Sequence, residues 1–152
     1  MALAIGDQVP QFMATDTNGN VFDSATIIGK KPLVLYFYPK DNTPGCTAQA
    51  CSFRDQYEDF QDLGAEVIGI SGDSVASHQK FSRQYKLPFI LLSDYDKKIR
   101  TLFGVPTNLF GLIPGRVTYV VDKNGIISMI FDSMSAGIHI KKALTAIQKL
   151  VV

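Results

Sequence analysis

An excess of charge of either sign is missing from this chain: 15 Lys and Arg stand against 14 Asp and Glu, a net charge of +1 over 152 residues. The longest basic clusters are pairs such as Lys30-Lys31, Lys97-Lys98 and Lys141-Lys142. Pairs of that kind are solvated surface, so neither nucleic acid nor an anionic membrane is an expected partner. Cysteine and histidine are equally scarce. Cys46, Cys51, His78 and His139 are too few and too scattered for a structural zinc site or a secreted disulfide scaffold, and no metal or other cofactor is expected. No apolar run approaches the ~20 residues of a membrane helix. The opening Met1-Ala2-Leu3-Ala4-Ile5-Gly6-Asp7 has neither a basic n-region nor a long apolar stretch, which argues against a signal peptide. The expectation is a soluble intracellular protein. No repeat, low-complexity tract or linker divides it, so residues 1–152 read as one domain, large enough to bury about 68–70% of its unfolded surface.

What is present is an alternation of strand and helix patterns. Residues 12–15 and 21–22 flank Asn18-Gly19, a tight hairpin signal. Residues 33–38, Leu-Val-Leu-Tyr-Phe-Tyr, are apolar on both alternating sets, as a central strand covered on two faces requires. After Cys46, the residues Ala50, Phe53, Tyr57 and Phe60 recur at intervals of three and four and predict one amphipathic helix ended by Gly64, with Gln49, Asp55, Glu58, Asp59 and Asp62 on other faces. Residues 66–71 form the next strand. Gly72-Asp73-Ser74 opens a helix with Val75, His78, Phe81 and Tyr85 inward, where His78 reads as a packed core histidine. Residues 89–93 read as a strand after Pro88, residues 94–103 as a short helix, and residues 104–114 as irregular chain. Residues 117–121 and 126–131 form a hairpin around Asp122-Lys123-Asn124-Gly125. A closing helix carries Ile140, Ala143, Leu144, Ile147 and Val151 on one stripe. This order predicts an α/β fold, a mixed central sheet with helices on both faces, and periodicity alone leaves flavodoxin-like arrangements open.

The stretch Tyr38-Pro39-Lys40-Asp41-Asn42-Thr43-Pro44-Gly45-Cys46-Thr47 lies where the central strand hands over to a helix. First-turn N–H groups of a helix have no intrahelical partner and favour negative charge. A thiol held there is favoured as thiolate, the reactive form. Thr43 or Asn42 can cap the helix and Pro44 suits its first position. Cys46 falls on the buried stripe, four residues before Ala50. If Cys46 and Cys51 share one regular helix, their Cα atoms are about 8–9 Å apart and about 140° apart in azimuth. A disulfide needs ~7 Å or less. The two can therefore join only if the first turns of the helix unwind.

Pro39-x-x-x-Thr43-x-x-Cys46 resembles the active-site signature of the peroxiredoxins, and Asn42-Thr43-Pro44-Gly45-Cys46-Thr47 followed by Cys51 resembles their bacterioferritin-comigratory, or Q-type, subgroup. Phe53-Arg54-Asp55 and Pro114-Gly115-Arg116-Val117-Thr118-Tyr119-Val120-Val121-Asp122 extend the resemblance over most of the chain. It implies a thioredoxin-like fold and a thiol-dependent peroxidase acting on hydrogen peroxide and organic hydroperoxides. Cys46 would attack the peroxide and become sulfenic acid. Cys51 would condense with it to a disulfide, and thioredoxin or a related dithiol would restore both thiols. The resemblance further implies that Arg116 holds thiolate and peroxide together, that the Thr43 hydroxyl handles the peroxide proton, that Pro39 shields the thiolate from water, and that the Gly45 and Cys46 N–H groups stabilise developing charge. A bacterial cytoplasm is implied, or a plastid if a transit peptide has been removed.

Two departures matter. Many members of the subgroup carry glutamate three residues after the reactive cysteine, where this chain has Gln49, so a carboxylate that moves protons there is not expected. No long C-terminal arm with a second cysteine follows the last helix, so a monomer is expected. Arg54, exposed by helix phase, is kept out of the candidate site. The alternative function is a peroxide sensor or thiol relay that uses the same cysteine pair to regulate a partner. A general disulfide oxidoreductase would place its cysteines as Cys-x-x-Cys, and four residues separate them here. A non-catalytic domain would show ordinary reactivity at both thiols.

Overall fold

The computed structural model describes residues 2–108 and 113–151. Along the chain run β1 (Met13–Asp16), β2 (Val21–Asp23), β3 (Leu33–Phe37), α1 (Pro44–Asp55), α2 (Tyr57–Asp62), β4 (Glu66–Ser71), α3 (Val75–Tyr85), β5 (Leu91–Ser93), α4 (Lys98–Phe103), β6 (Thr107–Asn108), β7 (Ile113–Pro114), β8 (Val117–Val121), β9 (Ile127–Asp132) and α5 (Ala136–Leu150). Because side chains alternate along a strand, a strand apolar at every position needs cover on both sides. β3 is such a strand, and it divides the interior. Val34 and Tyr36, with Tyr38 just beyond, enter one core, while Leu33, Leu35 and Phe37 enter the other.

The seven-stranded sheet runs β2-β1-β5-β4-β3-β8-β9. β3, β4 and β5 are parallel, and β1, β2, β8 and β9 join them antiparallel. On one face, Cys46, Ala50 and Phe53 of α1, Phe60 of α2, Phe81 of α3, and Ala143 and Ile147 of α5 pack onto Val34, Tyr36, Val67 and Val120. On the other, Ile99 and Phe103 of α4 pack on Phe37, Tyr119 and Val9. Helices therefore cover both faces, as the alternation of patterns predicts.

Several boundaries differ from the pattern reading. The helix expected to run on to Gly64 loosens at Gln56 (φ −112°, ψ 12°) and resumes as α2. The bonds across the break, Gln56 N to Ser52 O and Phe60 N to Gln56 O, survive at 3.3 Å each. Phe53 and Phe60 stay fully buried on one stripe, and side-chain periodicity does not register a stretched turn. Only Leu91–Ser93 of the expected residues 89–93 pairs as strand, although Phe89 and Ile90 already alternate between the two cores. The helix expected from residue 94 begins at Lys98, because the Asp94 carboxylate accepts from the Ile99 and Arg100 N–H groups and acts as its cap from outside. Val151, expected on the closing stripe, lies past the end of α5 and is exposed. Residues 104–114 are not wholly irregular: β6 and β7 pair within them, and the rest of that stretch's centre lies outside the described residues.

Beneath α1 the sheet has no slack. Tyr36 stacks on Phe53 with ring centroids 4.6 Å apart and planes at 18°. A Cβ on Gly69 would lie 2.7 Å from Leu91 Cδ2 and within 2.8 and 2.9 Å of Tyr36 Cζ and Oη. All three neighbours are core groups that cannot retreat. Gly69→Ala should therefore cost about 1–3 kcal/mol of stability, read from the urea midpoint, and an unchanged midpoint would show that the Tyr36 ring yields.

Candidate active site

The loop that follows β3 ends with Asn42 in the left-handed region (φ 60°) and Thr43 as the backbone N-cap of α1, with Pro44 in the first turn. Asparagine is among the few non-glycine residues that tolerate this conformation. Thr43 does not cap through its side chain. Its hydroxyl donates to the Lys40 carbonyl at 3.0 Å, and its own carbonyl accepts from Thr47 N at 2.8 Å. Pro44, Gly45 and Cys46 are then the first three helical residues, so the Gly45 and Cys46 N–H groups belong to the unpaired set at a helix start. Cys46 is 1% exposed, and Cys51, in the same helix, is half-buried. Both are free thiols.

Arg116 closes the site from the strand side. It directly precedes β8, which pairs antiparallel with β3 in the register Phe37 opposite Val117. That register brings the guanidinium to the end of β3, where the active loop departs. Arg116 is 4% exposed and each of its nitrogens has a partner: Nε donates to the Met134 carbonyl at 3.1 Å, Nη1 to Gln49 Oε1, and Nη2 to Cys46 Sγ at 3.4 Å. A Cβ on Gly45 would sit 3.1 Å from Nη2, so the glycine leaves the approach open for the guanidinium. The structure thus brings together Gly45, Cys46, Gln49 and Arg116. Pro39 lies half-buried just past β3, and Cys51 sits further along α1.

Gln49 is a correction. Placed above on another face of the helix, it is fully buried beside Cys46, and its amide nitrogen finds no acceptor among the described residues. The signal was available, since 46, 49, 50 and 53 follow the i, i+3, i+4, i+7 spacing of a single face. Arg54, by contrast, faces away. It pairs with Asp55 at 3.0 Å and donates to the Tyr85 carbonyl at 2.8 Å, tying α1 to the end of α3.

A second buried group supports Arg116 from behind. His139 on α5 is fully buried, with Nε2 2.7 Å from the Ser133 carbonyl and Nδ1 2.7 Å from the Thr118 hydroxyl. A carbonyl can only accept, so Nε2 carries the proton and Nδ1 accepts from Thr118. This neutral form agrees with a lowered pKa, caused first by burial and further by the nearby Arg116 charge. His139 and Arg116 together hold residues 133–134, since Ser133 N also donates to the Arg116 carbonyl at 3.2 Å. Two surface hollows of about 470 and 520 Å³, one beside β1 and β5 and one between β9 and α5, contain neither cysteine. The thiol and guanidinium, both buried, sit in a closely packed site.

The chain is similar to known proteins in both sequence and fold. The AhpC/TSA family model matches residues 5–130. The chloroplastic peroxiredoxin Q of Sedum lineare is 50% identical over 146 residues, covering 95% of this chain and 78% of its own. That of Oryza sativa subsp. japonica is 51% identical over 146 residues, covering 95% and 67%. Peroxidoxin BcpB from Mycobacterium tuberculosis superposes with a TM-score of 0.89 at 34% identity, over 96% of this chain and 97% of that one. A mutant PrxQ from Xylella fastidiosa gives 0.90 at 26% identity, over 98% of each. The chain belongs to the AhpC/TSA family and, within it, to the peroxiredoxin Q group. It is a thiol peroxidase, and its sheet is the thioredoxin-like one. No helix among the described residues is long and apolar enough to cross a membrane.

The depressed ionisation of His139 fixes a pH response. Folded protein binds fewer protons at this site than unfolded chain does, so its stabilisation is complete above the ordinary histidine value of 6.5 and declines as the pH falls below it. Melting temperature should drop more steeply between pH 7 and pH 5 in the wild type than in His139→Gln, and parallel profiles would refute this.

Proposed function

We propose that this peroxidase reduces hydrogen peroxide and small organic hydroperoxides through Cys46, and that Cys51 resolves the oxidised sulfur in the same chain. The observation that carries the reading is the Nη2 to Sγ contact at 3.4 Å between two groups that are 4% and 1% exposed. A guanidinium out of bulk water interacts strongly with a neighbouring thiolate. Gln49 contributes by being neutral: its Oε1 fixes the orientation of the fork without cancelling its charge.

In the first step the Cys46 thiolate attacks one peroxide oxygen. The O–O bond breaks, sulfur gains the oxygen as sulfenic acid, and the other oxygen leaves as hydroxide or alkoxide and takes a proton. Arg116 and the Gly45 and Cys46 N–H groups face the charge that moves. The Thr43 hydroxyl already spends its hydrogen on the Lys40 carbonyl, which leaves its lone pairs to accept the peroxide proton. Pro39 limits water at the strand end. In the second step the Cys51 thiol condenses with the sulfenic acid, releasing water, after the start of α1 has unwound. A dithiol such as thioredoxin then reduces the disulfide by exchange, entering at the half-buried Cys51 side.

Both cysteines lie in one helix of one chain, which supports a monomeric enzyme. The chloroplastic relatives support a plastid location, with a bacterial cytoplasm as the other setting.

Stopped-flow mixing of reduced protein with one equivalent of hydrogen peroxide tests the cycle. Cys46→Ser should abolish consumption, and retained activity would sink the assignment. Cys51→Ser should show one fast oxidation and then stall with thioredoxin and its reductase, with no product lighter by two hydrogens. Arg116→Ala should slow the first oxidation roughly 10²–10³-fold, and an unchanged rate would remove Arg116 from the site.

A further inference from the structure

The second buried histidine is held in the opposite manner to His139. His78 on α3 is fully buried, with Nε2 3.0 Å from the Leu92 carbonyl and Nδ1 2.7 Å from Asp41 Oδ2. Both partners are acceptors. The Asp41 carboxylate, itself 5% exposed, already receives the Tyr38 hydroxyl at 2.6 Å on Oδ1 and the Ser77 hydroxyl at 2.8 Å on Oδ2. A carboxyl group taking two such donors is satisfied as the anion, so the proton between Oδ2 and Nδ1 belongs to the ring. Asp73 stands in the same cluster, accepting the Asp41 N–H at 2.8 Å and the Ser71 hydroxyl at 2.7 Å, and its carboxylate, that of Asp41 and the His78 ring lie within 4.8 Å of one another. Tyr38, the remaining titratable group there, is kept protonated by burial and by Asp41. No Lys or Arg pairs with either carboxylate among the described residues.

We propose that His78 is a positioning residue for the peroxide reaction: a buried imidazolium, paired with Asp41, that pins the active loop to α3 and neutralises the carboxylate of the loop that leads into the Cys46 helix. The proposal rests on the reading of Cys46 as the reacting thiol. Asp41 lies between the end of β3 and the start of α1, one residue before the left-handed Asn42 and two before the helix cap. Through it the loop is tied to α3 by His78 and Ser77, and to the chain after β4 by Asp73. α1 consequently starts from a fixed point. The buried Tyr36 phenol feels both ends of this arrangement, since after burial its ionisation is pushed up by Cys46 and then by Asp41. An Asp41 carboxylate left uncompensated would oppose the thiolate, and the imidazolium prevents that.

Two measurements on the full chain test this. In ¹⁵N-labelled wild type at the pH of the activity assay, both ring nitrogens of His78, each facing an acceptor, should resonate as protonated, while His139 should show one protonated and one bare nitrogen. A bare nitrogen on His78 would overturn the proposal. In His78→Gln, the pH profile of Cys46 oxidation should move up by about one pH unit, with the rate falling about tenfold on its acid limb. Adding Asp41→Asn, which removes the uncompensated charge, should return the profile. An unmoved profile in the single variant, or a shift that the double variant does not reverse, would reduce His78 to a packing role and overturn the proposal. Failure of the Cys46 reading is separately visible, because Cys46→Ser would then still consume peroxide while the His78 resonances stayed as stated.

Discussion

A guanidinium withdrawn from water needs a partner at each of its nitrogens, and that requirement organises the active end of this molecule. Arg116 satisfies it with three groups from two places in the chain: the sulfur of Cys46 and the amide oxygen of Gln49 on α1, and the Met134 carbonyl just before α5. Each contact also fixes the group it touches. The strand pairing of β3 with β8 delivers the arginine, the first turns of α1 deliver the thiol, and the Ser133–Met134 turn, steadied by His139, sets the fork's angle. Sheet, helix and connecting turn therefore share one electrostatic centre.

The loop before α1 is governed by a second charge balance of the same kind. There His78 pairs with one of the two acids fixed by the fold, Asp41, while the other, Asp73, is held by the Asp41 N–H and the Ser71 hydroxyl. Between the two balances lies a helix start held at its entrance by Asp41 and at its floor by Phe53 against Tyr36. The proposed disulfide demands that the turns between these anchors open while the anchors stay. That division suits a reaction whose first step needs a closed, dry site and whose second needs a mobile sulfur.

Much of this was legible in the residues. The doubly apolar run of β3, the stripes of α1 and α5, and the delivery of Cys46 to a helix start follow from periodicity and from loop residues such as Thr43 and Pro44, and they reappear in the structure. The motif around Cys46 named the family. What stayed hidden depends on partners distant in sequence. Gln49 sits at the spacing of the buried stripe, but its partner there, Arg116, stands 67 positions later in the sequence. His78 could be placed on an inward face, but its charge state depends on the Asp41 carboxylate and the Leu92 carbonyl, brought to it by tertiary folding. The stretched turn at Gln56 and the outside cap from Asp94 alter backbone geometry while leaving side-chain spacing unchanged.

The chain has no tryptophan and six tyrosines. Tyr36 lies in the buried layer beneath α1, flat against a phenylalanine of the very helix that has to open. Its near-ultraviolet absorption and emission are therefore set by packing that borders the turns the redox cycle opens. Free of a brighter indole background, the molecule carries its own optical readout of whether the helix is shut or sprung, with no label attached.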